Sequence, residues 1–422
     1  MRIIKTIKSL VNNDYLFSVF SKLLGVALAV VYSVFYNRYL GVVLKGEAAI
    51  ISNYVSLIAS LAAMGMYQAY PFYRKKNKSE FYPFVNNMTS FYSLMMVVGL
   101  ILVLFLPVNF NLKVAIAIVP IQAYIRQINY VVMVEAPKRR NISSIIIATA
   151  ELIIVISFFA FSESTYIHLI YILLIQNLIN LAISYSNLKV DVKKLRFDLS
   201  EVPKYFKYGI LPMITLLLMT LNYRIDIFML DDIFSVSPAE IGIYSVGISL
   251  AEKVWLIPDA IKDILMSRLS NGSDKQEVAK VTRSSLAVSV VVLILMVLLG
   301  KHAIIILYGV EFEKSYEILI IMLVGVIGMV FYKMIYAYNV VNGKRVINLV
   351  FLGASAVANI IGNLFFIPMG GIIAAAWASV VSYSVCGLSF LMYFCYTEKI
   401  RVLDVLLLKK TDVSAMMKLF KK

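Results

Sequence analysis

Five cationic side chains lie within long apolar segments of the sequence, where an uncompensated charge is costly. These residues are Lys22, Arg126, Arg224, Lys253 and Lys333. Ionisable residues inside a membrane usually face a cavity or a charged partner. Only two acids, Asp226 and Glu252, are clearly as central, so this set of charges is mostly positive. A lumen with excess positive charge suits an anionic ligand, because lysine offers a point charge and arginine a two-pronged fork for phosphate oxygens.

Polar neighbours at helical spacing indicate which helix faces would line such a lumen. Gln122, Arg126 and Asn129 follow one another at intervals of four and three residues, so a helix presents them on one side. Lys22 lies on a similar stripe of small and polar residues. Lys333 lies in the same segment as Tyr336 and Asn339. We predict that the five cations bind the substrate, and that four further residues supply polar lining: Gln122, Asn129, Tyr336 and Asn339.

Each charge, taken alone, is also consistent with a structural ion pair or with a side chain that reaches the membrane surface. Arg224 and Asp226 are two residues apart, about 200° around a helix, and cannot pair with each other. One of them could face the lumen while the other serves packing between helices, and the sequence leaves both assignments open. Asp226 and Glu252 are therefore predicted to be coupling or structural acids.

The sequence contains none of the motifs expected of an enzyme or an ATP-driven pump. His168 and His302 have no acid or nucleophile arranged around them, and there is no phosphate-binding loop of the Walker type. Cys386 and Cys395 are nine residues apart on one apolar segment and face opposite sides of a helix, so they are not a metal pair. We predict a transporter without a cofactor, whose coupling to a proton or sodium gradient the sequence leaves open.

The elements that must position these residues are long apolar blocks. Of the 422 residues 61% are hydrophobic, and the mean hydropathy is +0.85. A helix needs roughly 20 apolar residues to cross a bilayer, and it satisfies all of its own backbone hydrogen bonds. We predict an all-α polytopic membrane protein with about twelve spanning helices. The segments lie near residues 15–36, 47–69, 84–107, 113–134, 141–162, 165–187, 209–230, 241–265, 284–300, 315–341, 345–367 and 371–396.

The distribution of basic residues predicts the orientation of these segments. The formal net charge is +16, but the basic residues lie in short loops, which does not favour nucleic acid as a partner. The predicted loops place 29 of the 40 Lys and Arg residues on one side and 5 on the other. Because cytoplasmic loops carry the basic excess, both termini are predicted to be cytoplasmic. The resulting division is a tail (1–14), a six-helix lobe (15–187), a basic linker (188–208), a second six-helix lobe (209–396) and a basic tail (397–422).

Three stretches of the sequence resemble a known family. They are Arg38-Tyr39-Leu40-Gly41 with Gly46-Glu47; Asn222-Tyr223-Arg224-Ile225-Asp226 continuing to residues 240–246; and Asn363-Leu364 with Ile367-Pro368 and residues 370–376. In order and spacing they resemble the polysaccharide-export flippases of bacteria, the O-antigen flippase type, within the multidrug/oligosaccharidyl-lipid/polysaccharide exporter superfamily. The Gly370-Gly371 pair after Pro368 is also the pattern of a tight external turn.

The resemblance implies two six-helix lobes around a central cavity and transport by alternating access. It implies a cargo of undecaprenyl-pyrophosphate-linked oligosaccharide, delivered across the bacterial cytoplasmic membrane for assembly of O-antigen, capsule or exopolysaccharide. Membrane lipids, and polysaccharide polymerases and glycosyltransferases, would then be partners. A drug/cation antiporter of the same superfamily and a membrane polysaccharide polymerase are the alternatives. The lipid II flippase type usually carries two more spans than are predicted here.

Overall fold

The computed structural model describes residues 14–270, 274–409 and 412, and every regular element in that part of the chain is a helix. The chain divides into two compact units, Met1–Leu217 and Leu218–Lys422. Large apolar side chains on several long helices are exposed, among them Leu104, Phe105, Phe161 and Leu298. Such surfaces are what hydrocarbon, rather than water, would cover.

The first unit consists of the helices before the boundary and the first part of the helix that contains it. They are α1 (Asp14–Ala62), α2 (Ala69–Lys76), α3 (Phe81–Phe105), α4 (Phe110–Glu135), α5 (Pro137–Phe161), α6 (Tyr166–Ser186) and the beginning of α7 (Val202–Phe228). Helix α1 packs mainly against α5 and α4, and α4 also contacts α3 and α6. These contacts place α4 at the centre of the unit.

Helix α1 is broken at Gly41, within the first of the three family stretches. The backbone there has φ 62° and ψ −178°, a conformation that costs glycine little and L side chains much more. Helical geometry continues up to Leu40 and resumes at Val42. The sequence predicted a longer connection, between residues 36 and 47, so the turn itself lies at the predicted place but is tighter.

The second unit begins inside α7 and contains the remaining helices. They are α8 (Pro238–Ala251), α9 (Leu256–Ser270), α10 (Lys275–Tyr308), α11 (Ser315–Val341), α12 (Arg345–Glu398) and α13 (Val402–Leu406). Helix α11 is the most buried of the candidate spans and packs against α12, α8 and α10. Helix α12 breaks at Gly370 (φ −159°, ψ 23°) and Gly371 (φ 54°, ψ −132°), where the sequence predicted a turn.

A proline changes the helix geometry beside two of the predicted site residues. Pro258 has no N–H to donate to the carbonyl oxygen of Val254, so a regular helix cannot continue unchanged through this turn. Helix α8 ends at Ala251, and Glu252–Trp255 form a 3₁₀ turn before α9 begins. This turn carries Glu252 and Lys253.

Nine helices in the described residues are long and apolar enough to cross a membrane, so the chain is a multi-pass membrane protein. They are Ser21–Ala62, Phe81–Phe105, Pro137–Phe161, Tyr166–Ser186, Val202–Ile233, Pro238–Lys262, Lys275–Tyr308, Ser315–Val341 and Arg345–Glu398. The two broken helices α1 and α12 each count once among the nine. Helix α4, which carries Lys113, Arg126 and Glu135, is not among them.

The basic segment 188–208, predicted as a linker between lobes, is bound to the first unit. Side chains of α3 bond its backbone: Ser90 accepts from the Asp198 N–H at 2.9 Å, and Asn87 from that of Glu201 at 2.9 Å. The hydrogen bonds that Asp198 accepts from Ser200 and Asn87 hold its pKa below the usual range. Further on, a Cβ atom on Gly209 would lie 2.2 Å from the Met64 oxygen, so this glycine permits close packing of α7. The boundary between the compact units therefore falls beyond the predicted linker, within α7.

Candidate functional site

The first unit contains a polar pocket with a volume of about 360 Å³. Its lining residues come from three helices and are Gln122, Ile125, Arg126, Asn129, Tyr130, Met133, Arg140, Asn177 and Asn180. Six of the nine lie on α4, one at the start of α5 and two on α6. The pocket is therefore built within one compact unit.

One face of α4 forms the long wall of this pocket. Gln122, Arg126, Asn129 and Met133 recur at intervals of four, three and four, so they line up along the helix. At 1.5 Å per residue this wall is roughly 16 Å long. The sequence predicted the first three as one stripe, and the structure brings them together on the pocket wall.

The opposite face of α4 is fixed by buried hydrogen bonds. Gln127 is 1% exposed and donates to the carbonyl oxygen of Ala63 at 3.0 Å and to the hydroxyl of Tyr92 at 2.8 Å. At the end of α4, Glu135 accepts two hydrogen bonds from Arg74, at 2.6 and 3.1 Å, and one from Tyr70. These contacts fix the rotation of α4 and thus the direction in which Arg126 points.

The charge of the pocket is positive. Arg126 and Arg140 are its charged lining residues, and no Asp or Glu lines it in the described part of the chain. Arg140 is exposed at the first turn of α5, whereas Arg126 is half-buried further along the wall. The Nη1 atom of Arg126 is buried and makes no hydrogen bond within the described residues. A buried guanidinium donor left unpaired carries a desolvation cost that an anionic ligand would offset.

Four carboxamides and the hydroxyl of Tyr130 are the other polar side-chain groups among the lining residues. Asn177 and Asn180 are one turn apart on α6, facing Gln122 and Asn129 of α4 across the cavity. The amide nitrogen of Asn177 donates to the Leu173 carbonyl at 2.8 Å, and Asn180 accepts from Ser184 at 3.1 Å. Carboxamides both donate and accept, so such a lining can bond hydroxyl groups and phosphate oxygens alike.

In the second unit, two of the predicted cations form ion pairs with acids. Arg224 donates to both carboxylate oxygens of Glu252, at 3.3 and 3.2 Å. The Lys333 ammonium group lies 2.8 and 2.9 Å from the two oxygens of Asp259 and 4.8 Å from the centre of the Trp255 ring. Arg224 and Lys333, two of the cations predicted to bind the substrate, are therefore each paired with an acid of the same unit.

Asp226 is buried and hydrogen-bonded to side chains of two other helices. It is 1% exposed, and its carboxylate accepts from the Tyr244 hydroxyl at 2.6 Å and from Ser379 at 3.3 Å. Arg224 is 34% exposed at its side chain. Of the two assignments that the sequence left open, the structure thus places Asp226 between helices and Arg224 toward open space beside Glu252.

The remaining predicted residues do not line the pocket. Lys22 is exposed on α1, and Lys253 is half-buried in the 3₁₀ turn before α9. Asn339 is 1% exposed and donates to the side-chain oxygen of Asn348 at 2.8 Å, so it joins α11 to α12. Tyr336 packs edge-on against Tyr332, with ring centres 5.5 Å apart.

Sequence reasoning missed Arg140 and two of the carboxamides of the pocket, as well as Tyr130. Arg140 was counted only as a basic loop residue, although it is in the first turn of α5. Asn177 and Asn180 were not selected, yet two carboxamides three residues apart in an apolar segment are a signal of the same kind as Gln122 and Asn129. Among the described residues, no group of three or more His, Cys, Asp or Glu could hold a metal ion.

Comparison with known proteins gives a family and a fold. The sequence profile of a family described as polysaccharide biosynthesis protein matches residues 38–317. No curated protein sequence matches the chain.

The fold of the chain resembles the folds of a lipid II flippase and of MATE transporters. The lipid II flippase MurJ in its inward closed conformation has a TM-score of 0.69 at 16% identity, over 97% of this chain and 91% of that one. An inward-facing multidrug resistance transporter of the MATE family, described as a member of the MOP superfamily, has a TM-score of 0.66 at 11% identity, over 90% and 99%. A MATE transporter of Vibrio cholerae gives 0.60 at 11% identity, over 94% and 99%. The predicted resemblance to this superfamily is confirmed, and the chain has a transporter fold.

Proposed function

This chain belongs to the polysaccharide biosynthesis protein family, and we propose that it is a flippase for undecaprenyl-pyrophosphate-linked oligosaccharide repeat units. It would move them across the bacterial cytoplasmic membrane by alternating access. The product would feed assembly of a surface polysaccharide such as O-antigen, capsule or exopolysaccharide. Polysaccharide polymerases and glycosyltransferases are the proposed partners.

The observation that carries this proposal is the pocket of the first unit, with two guanidinium groups, four carboxamides and no acid in its described lining. A pyrophosphate cannot cross hydrocarbon as an unpaired anion. Arg126 lines this pocket, and its guanidinium could bond a phosphate oxygen. The carboxamides would bond the adjoining sugar, while the polyprenyl tail stays in lipid.

We propose twelve membrane crossings. The breaks at Gly41 and at Gly370-Gly371 would divide α1 and α12 into two crossings each. Helix α4, with 26 residues, is long enough to span, and its charges explain why its apolar character is weaker. With the basic loops on the inside, both termini would be cytoplasmic.

The drug/cation antiporter alternative requires an acid that faces its cationic ligand. Glu252 and Asp259 are bound to cations in the second unit, and Asp226 is enclosed by hydroxyl and backbone donors. No acid lines the described part of the cationic pocket. Electrostatics therefore favours the anionic lipid-linked substrate, whichever of a proton, sodium or substrate gradient drives its movement.

The test is headgroup translocation in vesicles that contain the purified protein and a lipid-linked oligosaccharide. Replacing Arg126 and Arg140 together by glutamine should slow the appearance of headgroup in the opposite leaflet by about a hundredfold, since each charge-assisted contact contributes roughly a factor of ten. Binding of the lipid-linked oligosaccharide should weaken in parallel. Unchanged transport in a folded double variant would refute the proposed site.

Arg139 provides the matched control. It carries the same charge in the same turn of α5, but its guanidinium donates to the Asn187 carbonyl at 2.9 Å and does not line the pocket. Arg139→Gln should therefore retain transport within about twofold. If it loses as much as the double variant, the effect comes from the charge of the loop and not from the pocket.

A further inference from the structure

The chain that follows α12 is held firmly against the second unit while part of its apolar surface remains open. Lys399 turns the backbone with φ 55°, and α13 begins at Val402. Val405 and Asp412 are 0% and 1% exposed, so one side of the segment is packed. By contrast, the exposures of Leu403, Leu407 and Leu408 are 63%, 59% and 41%. The segment is thus amphipathic.

An ion pair with α10 fixes this segment in position. Arg283 donates to the two oxygens of Asp412 at 2.5 and 2.9 Å, and to the carbonyl oxygen of Asp404 at 2.9 Å. Both Arg283 and Asp412 are almost fully buried. The guanidinium also holds the pKa of Asp412 below its usual range. Because this side is committed to α10, the open leucines cannot turn inward without breaking a buried ion pair.

The position and charge of the segment indicate what covers these leucines. Leu403 is five residues beyond the end of a candidate spanning helix, so the chain cannot carry it more than roughly 18 Å from that end. Basic side chains flank the leucines: Arg401 is 85% and Lys409 48% exposed. Over residues 399–422 the sequence has seven Lys or Arg and two Asp. Exposed leucines beside basic residues are the composition that binds an anionic lipid surface.

We infer that residues 399–409 are a lipid-contacting element, in which Leu403, Leu407 and Leu408 enter the headgroup region of the adjoining leaflet and the basic side chains bind anionic lipid headgroups. Asp404 moderates this attraction, because it lies 3.1 Å from Arg401 and 2.8 Å from Lys409. The inference does not depend on the transported substrate. It makes the second unit sensitive to the lipid composition of one leaflet.

The experiment labels single cysteines with a bimane fluorophore in the full chain, placed in nanodiscs of phosphatidylcholine with or without phosphatidylglycerol. The two native cysteines, Cys386 and Cys395, are buried and are replaced by alanine in the background. One label is at Leu407→Cys, and the control is at Gln276→Cys, an exposed polar position in the first turn of α10. Quenching is measured with aqueous iodide and with a lipid nitroxide.

With phosphatidylglycerol present, the Leu407→Cys label should be quenched by the lipid nitroxide and about fivefold less by iodide than the Gln276→Cys label. Without it, the protection from iodide should fall. Equal iodide quenching of the two labels would overturn the inference. Protection that is equal in both lipids would also overturn it, because the chain itself or any bilayer would then cover the leucine.

Variants of the charged residues should change the dependence on phosphatidylglycerol in opposite directions. Arg401→Gln with Lys409→Gln should remove the dependence on phosphatidylglycerol, whereas Asp404→Asn should strengthen it. The side chains of all three residues lie outside the buried pair of Arg283 and Asp412, whose retention is checked by unchanged thermal unfolding. A lipid dependence that none of these variants alters would contradict the proposed role of the basic side chains.

Discussion

Arg126 in the first unit differs from Arg224 and Lys333 in the second unit in whether an acid is paired with it. In the second unit, Glu252 stands against Arg224 and Asp259 against Lys333. In the first unit, Arg126 lines a pocket that has no lining acid among the described residues. A charge paired within the chain maintains the fold, and a charge left for a ligand weakens the fold until the ligand arrives. Pairing with an acid therefore separates Arg224 and Lys333 from Arg126, which we propose to be a binding cation.

The largest effect is expected from a variant that places an acid beside Arg126, because this removes the difference between the two units. Gln122→Glu is nearly isosteric and places a carboxylate four residues before Arg126, the favoured spacing and order for a helical ion pair. The first unit would then resemble the second. We expect the thermal unfolding temperature to rise and flipping of the lipid-linked oligosaccharide to fall by about a hundredfold, because the guanidinium is occupied and the new carboxylate repels the pyrophosphate.

The control is Gln127→Glu, which adds the same charge on the opposite, buried face of α4, where the side chain bonds Ala63 and Tyr92. It should lower stability, which Gln122→Glu should not. Normal transport by a folded Gln122→Glu protein would show that Arg126 does not meet the substrate.

A second variant removes the acid that pairs with Arg224 in the second unit and tests whether this pair stabilises the fold. Glu252→Gln leaves the Arg224 guanidinium without its counter-charge. The Arg224 side chain is 34% exposed, so we expect a loss of about 1–2 kcal/mol in unfolding free energy rather than the larger cost of a fully buried pair. Transport should change much less than in Gln122→Glu.

The measurement is a double-mutant cycle in detergent, with thermal unfolding of Glu252→Gln, Arg224→Gln and the combined variant. The combined variant should recover much of the loss, because no charge is then left unpaired. Strict additivity of the two single losses would mean that the pair contributes nothing, and the two units would no longer differ in the way described.

Features that depend on one segment could be predicted from the sequence. Long apolar blocks fix the helices, since only a helix satisfies its own backbone in hydrocarbon. The breaks at Gly41 and Gly371 were predictable because both require a positive φ that glycine adopts readily. The stripe of Gln122, Arg126 and Asn129 was predictable because helical periodicity alone places the three together.

Features that depend on contacts between segments could not be predicted. Asp259 is 74 residues before Lys333, and Glu252 is 28 residues after Arg224. No local sequence pattern therefore predicts either ion pair. Asp259 follows Pro258 directly and contacts the ammonium group of Lys333 from a different helix. Asn177 and Asn180 likewise complete the pocket from a helix separated from α4 by α5.

The smallest effect is expected from removing a single hydroxyl group in the second unit. This variant tests whether Asp226 serves packing or transport. Tyr244 donates to Asp226 at 2.6 Å, and both residues are buried. Tyr244→Phe keeps the ring and removes the donor, while Ser379 and the Ile227 N–H still bond the carboxylate, so unfolding free energy should fall by only about 1 kcal/mol. Transport per folded molecule should be unchanged, measured against Tyr336→Phe, whose ring is only half-buried. A loss of transport without a loss of stability would instead make Asp226 a coupling acid, and the contrast between a binding unit and a paired unit would no longer hold.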